Sequence, residues 1–449
     1  MKHKHVFMIV ACAAALAAVC VDAYGVTLKL DQVRQRYPWN GLVDIDYTVA
    51  DASSVGLDDN LEVLMVDKAV TPAVTNRALT FLQAPLPMTD GKHRITWDAN
   101  ADGVTNRTDQ AEFHVKVVHY AAAYMVVDVS AGSGADATYP VDFLNGEPDG
   151  GFKQNKYMEN KIVFRRIRPG SYIAGSPSDE ANTADAYNGA DDKGLPGAEV
   201  REKPHRVMIS KTLYVGIFEV TQAQYEKVMG SNPSIWTGSQ GSPHRPVEQV
   251  LYGELRGDGW PRTTAPAADS FMDRLNKRCK SKDEHGEYTV DVKGFDLPTE
   301  FQWEYACRAG STEAFYSKDG FDNTDSGAQK DQLELIGLYK DNASKGVHPP
   351  VSGVYKTTDV GAFQPNAWGL YDMIGNAWEW CCDWFQADIV SLNQEVDPKG
   401  ADSGYGNRRI ARGGGYNTAI SCCRVAFRQG FNNTIRNGSI GFRIFRSLP

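Results

Sequence analysis

The stretch Asn366-Ala367-Trp368-Gly369-Leu370-Tyr371-Asp372-Met373-Ile374-Gly375-Asn376-Ala377-Trp378-Glu379-Trp380 sets three tryptophans among glycines and short polar residues, and Trp384 follows closely. Each indole offers a large apolar area and one N–H that needs a partner when buried. Such a cluster either packs as a core that holds irregular loops or stands open as a ligand platform. Upstream, Leu297-Pro298-Thr299-Glu300-Phe301-Gln302-Trp303-Glu304-Tyr305-Ala306-Cys307-Arg308-Ala309-Gly310 contains T-x-x-Q, the capping-box form, ahead of a helix that should stop at Gly310. Thr221-Gln222-Ala223-Gln224 has the same form. Between them Ala268, Phe271, Met272, Leu275 and Cys279 fall at i, i+3, i+4, i+7 and i+11, one face of a third helix. Downstream come Arg412-Gly413-Gly414-Gly415-Tyr416, Cys423-Arg424 and Gly441-Phe442-Arg443. From about Lys161 the chain therefore reads as short helices in long irregular connections.

Composition bounds the function. The 449 residues hold 47 basic and 56 acidic side chains, a charge of −9, with 42% hydrophobic residues, enough for packed cores. A mildly acidic chain is a poor general binder of nucleic acid or anionic membrane. Eight arginines and no acidic residue follow Asp402, so 403–449 carries +8. That asymmetry is either an anion-binding surface or, the commoner outcome, a set of cations paired with acids elsewhere in the domain. There is no G-x-S-x-G, H-E-x-x-H, P-loop or Rossmann fingerprint. The histidines lack ligand spacing, and Arg256-Gly257-Asp258 is too short a match to carry weight.

The N-terminal part has a different grammar. Lys2 and Lys4 precede the apolar run Val6–Val21, and Val21-Asp22-Ala23 offers a small-residue cleavage site, so residues 1–23 read as a signal peptide. The run is shorter than a spanning helix needs, and no later segment is apolar enough, so no integral membrane segment is expected. The mature chain would be secreted or periplasmic, with Cys279, Cys307, Cys381, Cys382, Cys422 and Cys423 free to form disulfides. In Leu42–Val49, apolar Val43, Ile45, Tyr47 and Val49 alternate with polar residues, the period of a half-buried strand. Leu61–Val66, Ala78–Leu82, Arg94–Trp97 and Ala111–His119 continue the series. Residues 24–120 thus read as a small immunoglobulin-like all-β sandwich, 121–159 as a linker, and 160–449 as the second domain. Asp98-Ala99-Asn100-Ala101-Asp102-Gly103, with Asp109, is either a fragment of a calcium loop or a polar hairpin turn.

The blocks at 297–310, 366–380 and 412–443, with Glu219–Tyr225 and Arg245-Pro246-Val247-Glu248 before them, closely resemble the sulfatase-modifying factor family, that of the formylglycine-generating enzyme, over roughly 160–448. The resemblance implies an α+β, C-type-lectin-like fold with little regular secondary structure, preceded here by the all-β sandwich. It implies a calcium ion held by the Asp372 and Glu379 side chains and the Gly375 and Ala377 carbonyls, hard donors that suit Ca²⁺. A further family calcium site would start near Asn342 and Ala343, with Ser352 where an Asp belongs. It also implies an oxidation of a sulfatase cysteine by Cu(I) held on two thiolates beside a serine. Here the serine position is Gly415, the first thiolate position is Thr418, and only Cys423 survives as a candidate catalytic residue. By the same resemblance Cys307 is expected to bridge to Cys423 or Cys422. The functional expectation is a peptide-, glycan- or protein-binding module using the lectin-like cleft. The alternative is an active oxidoreductase of the family that makes formylglycine or performs related maturation chemistry.

Overall fold

A computed structural model describes residues 19–21 and most of 26–448; the longest stretches outside that description are 52–59, 82–88, 105–110, 178–200, 317–332 and 344–354. Residues 1–18 of the expected leader, Asp109 and Ser352 lie outside the described residues. The chain divides into two compact units, Met1–Tyr120 with Arg168–Ser171, and Ala121–Ile167 with Tyr172–Pro449.

In the first unit, alternation builds two antiparallel sheets. One runs Val19–Val21, Thr27–Gln35, Leu42–Ala50, Gly91–Asp98, and the other Val74–Ala78, Asn60–Asp67, Ala111–Val118. Val43, Ile45, Tyr47 and Val49 are all buried and join Val63, Ile95 and Trp97 in one core. Of the expected strand at Ala78–Leu82, Ala78 closes the strand Val74–Ala78 and Phe81 bridges Trp97, while residues 79, 80 and 82 lie outside the described residues. Val19–Val21 pairs with Thr27–Lys29, so cleavage after Ala23 would leave Thr27–Gln35 as the sheet edge. In the turn after Gly91–Asp98, the Trp97 Nε1–H donates to Asp102 Oδ2 at 2.6 Å, and Val104 N–H donates to the Ala99 carbonyl. That is a tied polar turn.

The second unit begins earlier than the sequence suggests. Residues 121–159 are not a linker: Tyr124–Asp128 and Tyr139–Leu144 are strands, and Asn155–Glu159 is a helical turn. Tyr124–Asp128 has its first four residues buried, so its apolar run lacks the alternation that marks a half-exposed strand. It lies within an eight-stranded sheet ordered Tyr288–Asp291, Cys279–Lys282, Tyr139–Leu144, Tyr124–Asp128, Lys161–Ile167, Leu213–Gly216, Phe445–Ser447, Phe295–Asp296. Successive residues serve different cores: Val126 and Val163 join Trp303 and Cys307, while Met125, Val127 and Phe164 join Trp380 and Phe442. A four-stranded sheet, Gln429–Asn432, Arg408–Arg412, Trp378–Trp384, Ile440–Gly441, carries the tryptophan segment. Helices are few and short, in line with the expected α+β fold of little regular secondary structure. Gln222–Met229 and Glu300–Arg308 are both opened by complete capping boxes, Thr221 with Gln224 and Thr299 with Gln302. Glu300–Arg308 ends on Ala309 in the left-handed region, with Gly310 next. Phe271–Arg278 is the third helix, capped by the Ser270 side chain.

Candidate functional site

Five of the eight tail arginines, Arg409, Arg412, Arg424, Arg428 and Arg443, are buried. Arg412 meets Glu304 at 2.5 Å, Arg424 meets Glu202 at 2.7 Å, Arg428 meets Glu300 at 2.5 Å and Arg443 meets Glu379 at 2.7 Å, all almost without exposure. Arg256 is buried on Asp296 as well, so the Arg-Gly-Asp tripeptide presents no adhesive face. Trp378 and Trp380 are core residues, Trp380 fully buried with Nε1–H donating to the Val250 carbonyl, while Trp368 and Trp384 are half-buried.

Around Arg443 lies a carboxylate cluster. The guanidinium grips Glu379 with two nitrogens and donates to the Gly216 and Tyr371 carbonyls. Trp303 Nε1–H donates to Glu379 Oε2 at 2.7 Å, an oxygen that Arg443 Nε also reaches at 3.1 Å. Glu219 accepts from Ala377 N–H at 3.0 Å and from Asn376 Nδ2 at 2.6 Å. Asp372 Oδ2 accepts from Gly361 N–H at 2.5 Å, and its buried Oδ1 has no hydrogen-bond partner. Burial, together with Asp372 and Glu379 nearby, raises the Glu219 pKa well above the usual carboxylate range. Burial raises Asp372 to about 6. Three carboxyls thus face one guanidinium, an excess of negative charge. Asp372, Gly375 and Asn376 all have left-handed backbone, at φ 55°, 74° and 60°. Such strain collects where geometry serves a site.

The orphaned oxygen and the carboxylate surplus fit a hard cation at Asp372. Among the described residues no group of three His, Cys, Asp or Glu side chains forms a metal cage. Any ion here would rely on the Gly375 and Ala377 carbonyls and share Glu379 with Arg443.

The loop after Arg412 fits copper poorly. Thr418 Oγ1 accepts from Trp378 Nε1–H and Gly415 N–H, each at 3.1 Å, and donates to Asn417 Oδ1 at 3.4 Å. One hydroxyl proton and two lone pairs are then all in use. A Cβ at Gly415 would stand 3.1 Å from Trp378 Cδ1 and 3.4 Å from Ser439, so a serine would be crowded. Cys423 is fully buried, with Sγ over Gly414 and 3.7 Å from the Ala419 carbonyl. Burial pushes its thiol well up, away from the thiolate that Cu(I) needs. Cys381 and Cys382 are locked in the core of Trp378–Trp384, and Cys382 Sγ lies 3.1 Å from the Leu297 carbonyl.

The expected bridge from Cys307 to Cys423 or Cys422 is not formed: Cys307 and Cys423 are both buried free thiols. Cys307 Sγ points instead at the Met373 carbonyl, 3.7 Å away. Glu219 and Glu248 are buried participants to which sequence reading gave no role. Their only signal was membership of the motifs Glu219–Tyr225 and Arg245–Glu248, because their partners lie far along the chain.

The sulfatase-modifying factor enzyme 1-like domain model matches residues 153–448. The chain is 36% identical over 157 residues to a formylglycine-generating enzyme of Streptomyces coelicolor, covering 33% of this chain and 46% of that protein. It thus spans about half the length of that relative. It is 26% identical over 302 residues to the Bos taurus formylglycine-generating enzyme, covering 61% of this chain and 77% of that one. The chaperone protein LppX of Paenibacillus barcinonensis is 26% identical over 252 residues, covering 52% and 80%. With two thirds of its length inside the family model and its motif blocks packed into the two cores of the second unit, the chain belongs to the sulfatase-modifying factor enzyme 1-like family.

Proposed function

We propose that this is an exported, non-catalytic member of the family, a module that binds a peptide, glycan or protein in the cleft beside the Gly415–Cys423 loop. The observation that carries the reading is Thr418: a saturated hydroxyl stands where Cu(I) needs a thiolate, next to a Cys423 thiol that burial keeps protonated. A relative named as a chaperone protein supports a non-catalytic role. The burial of Arg412, Arg424, Arg428 and Arg443 in ion pairs supports a partner other than nucleic acid. Asp372, Gly375, Ala377 and Glu379 would hold Ca²⁺, which supplies charge compensation without redox chemistry. Export rests on Lys2, Lys4 and the run Val6–Val21, and no helix among the described residues is long and apolar enough to cross a membrane.

The competing reading, an oxidoreductase of the family, draws on relatives named formylglycine-generating enzymes. Reduced, copper-loaded protein incubated with a cysteine-containing sulfatase peptide separates the two by mass analysis. We expect no loss of substrate thiol and no aldehyde. Turnover that disappears in Cys423→Ser would establish the enzyme instead.

A further inference from the structure

Glu248 is fully buried. Its Oε1 accepts the backbone N–H groups of Ile235 at 2.8 Å and Trp236 at 3.2 Å, and its own N–H donates to Ser234 Oγ at 3.2 Å. The carboxyl therefore holds the loop from Asn232 to Gly238 by its backbone. Oε2 has no hydrogen-bond partner and lies under Gly438, 3.7 Å from where a Cβ would stand. Ile235 covers Gly438 from outside and is itself 51% exposed. The same loop presents Trp236 edge-on to Tyr416, centroids 6.5 Å apart, on the segment that carries Gly415 and Thr418.

The groups around this carboxyl are neutral. From its own loop come the Ser234 hydroxyl and Trp236, from the 412–418 segment the Tyr416 phenol, and from the 432–439 turn the backbone of Gly438. Arg436, the cation of that turn, is committed to Glu254 and to the Gln249 carbonyl. A buried carboxylate with one unpartnered oxygen and no counter-cation is costly, whereas its neutral form is not. Burial, the largest influence, raises its pKa to about 7, against the backbone donors and Ser234.

We propose that Glu248 is a pH-operated latch on the loop from Asn232 to Gly238, controlling access to the face formed by Trp236, Tyr416 and Thr418. The proposal deepens, and as regards ligand access rests on, the reading of that face as a binding cleft. Protonated, the carboxyl stays buried and the loop is shut. Ionised, it draws the loop outward to reach water, and Trp236, half-buried when the loop is shut, becomes more accessible.

Acrylamide quenching of full-length protein without ligand tests this, with the Trp236 contribution taken as the difference between wild type and Trp236→Phe. The quenching constant should rise several-fold between about pH 6 and about pH 8.5, with a midpoint near the pKa of Glu248. The same difference measured in the Glu248→Gln background should be flat. Ser234→Ala removes a hydroxyl that favours the charged form, so its midpoint should move upward. A wild-type response that is flat, or a rise that survives Glu248→Gln, overturns the latch; should the Gln variant not fold, an unmoved midpoint in Ser234→Ala does so. Because no ligand is present, either result leaves the binding-module reading to its own test.

Discussion

At the scale of single residues, the Gly415–Cys423 loop is set by its own hydrogen bonds. Thr418 is tied by Trp378, Gly415 and Asn417, so replacing it must first break those bonds. Gly375 is equally constrained: at φ 74° a Cβ would stand 2.0 Å from the Leu338 carbonyl oxygen. Gly375→Ala should therefore cost at least about 1–3 kcal/mol from backbone strain alone, read as a fall in denaturant midpoint; an unchanged midpoint would contradict the close approach. Asp372 carries the calcium expectation. Added Ca²⁺ should raise the thermal midpoint of wild type by mass action and leave Asp372→Asn nearly unmoved. If a chelator does not change the wild-type midpoint and metal analysis finds no calcium, the site assignment fails. The candidate ligands were legible because the motif names them. The Arg443 grip on Glu379 was not, since it joins residues 64 apart in the chain.

Among elements, the short helices were the most legible, because capping is local. Thr299 and Gln302 satisfy each other's backbone donors within one turn, and the helix they open delivers Trp303, Glu304 and Arg308 to the core. Thr299→Ala should lower stability by about 1 kcal/mol, with Thr299→Ser recovering most of it. Equal stability of Ala and Ser variants would show that packing alone holds this helix. Strands were legible where alternation is unbroken, as in Leu42–Ala50. Thr27–Gln35 went unread because a register shift between Leu30 and Gln32 interrupts its period, leaving Leu28, Leu30 and Val33 buried out of phase. The twice-buried strand Tyr124–Asp128 was hidden for the opposite reason, having no polar face at all.

Over the whole molecule, buried ion pairs and buried unpaired carboxyls pull stability in opposite directions with pH. Burial raises the pKa of Glu304, but Arg308 and Arg412 outweigh it and hold the net value below normal. Its contribution is complete above the unfolded-state pKa and is lost as pH falls through the lower folded value. Burial, then the neighbouring Glu300, raises Asp383 to about 8, so the folded state keeps that proton longer than the unfolded chain does. Its contribution is greatest below the unfolded pKa and is lost as pH rises through about 8. The thermal midpoint should thus peak on the acid side of neutrality and fall toward pH 9 (roughly one unit above the Asp383 value). In Asp383→Asn the alkaline fall should flatten; an identical fall would assign it elsewhere. What the sequence alone determined is everything encoded within a turn or a few residues: the sandwich alternation, the caps, and the motif order that marks the family. Its charge asymmetry left two readings open, an anion-binding surface or pairing with acids elsewhere, and Arg412, Arg424, Arg428 and Arg443 follow the second. Only the tertiary structure decided which acids, because Arg412, Arg424, Arg428 and Arg443 meet carboxylates 64 to 222 residues away. Likewise it turned the expected linker into sheet, left Cys307 and Cys423 unbridged, and buried both, since burial and partner choice belong to packing and have no local signature in the chain.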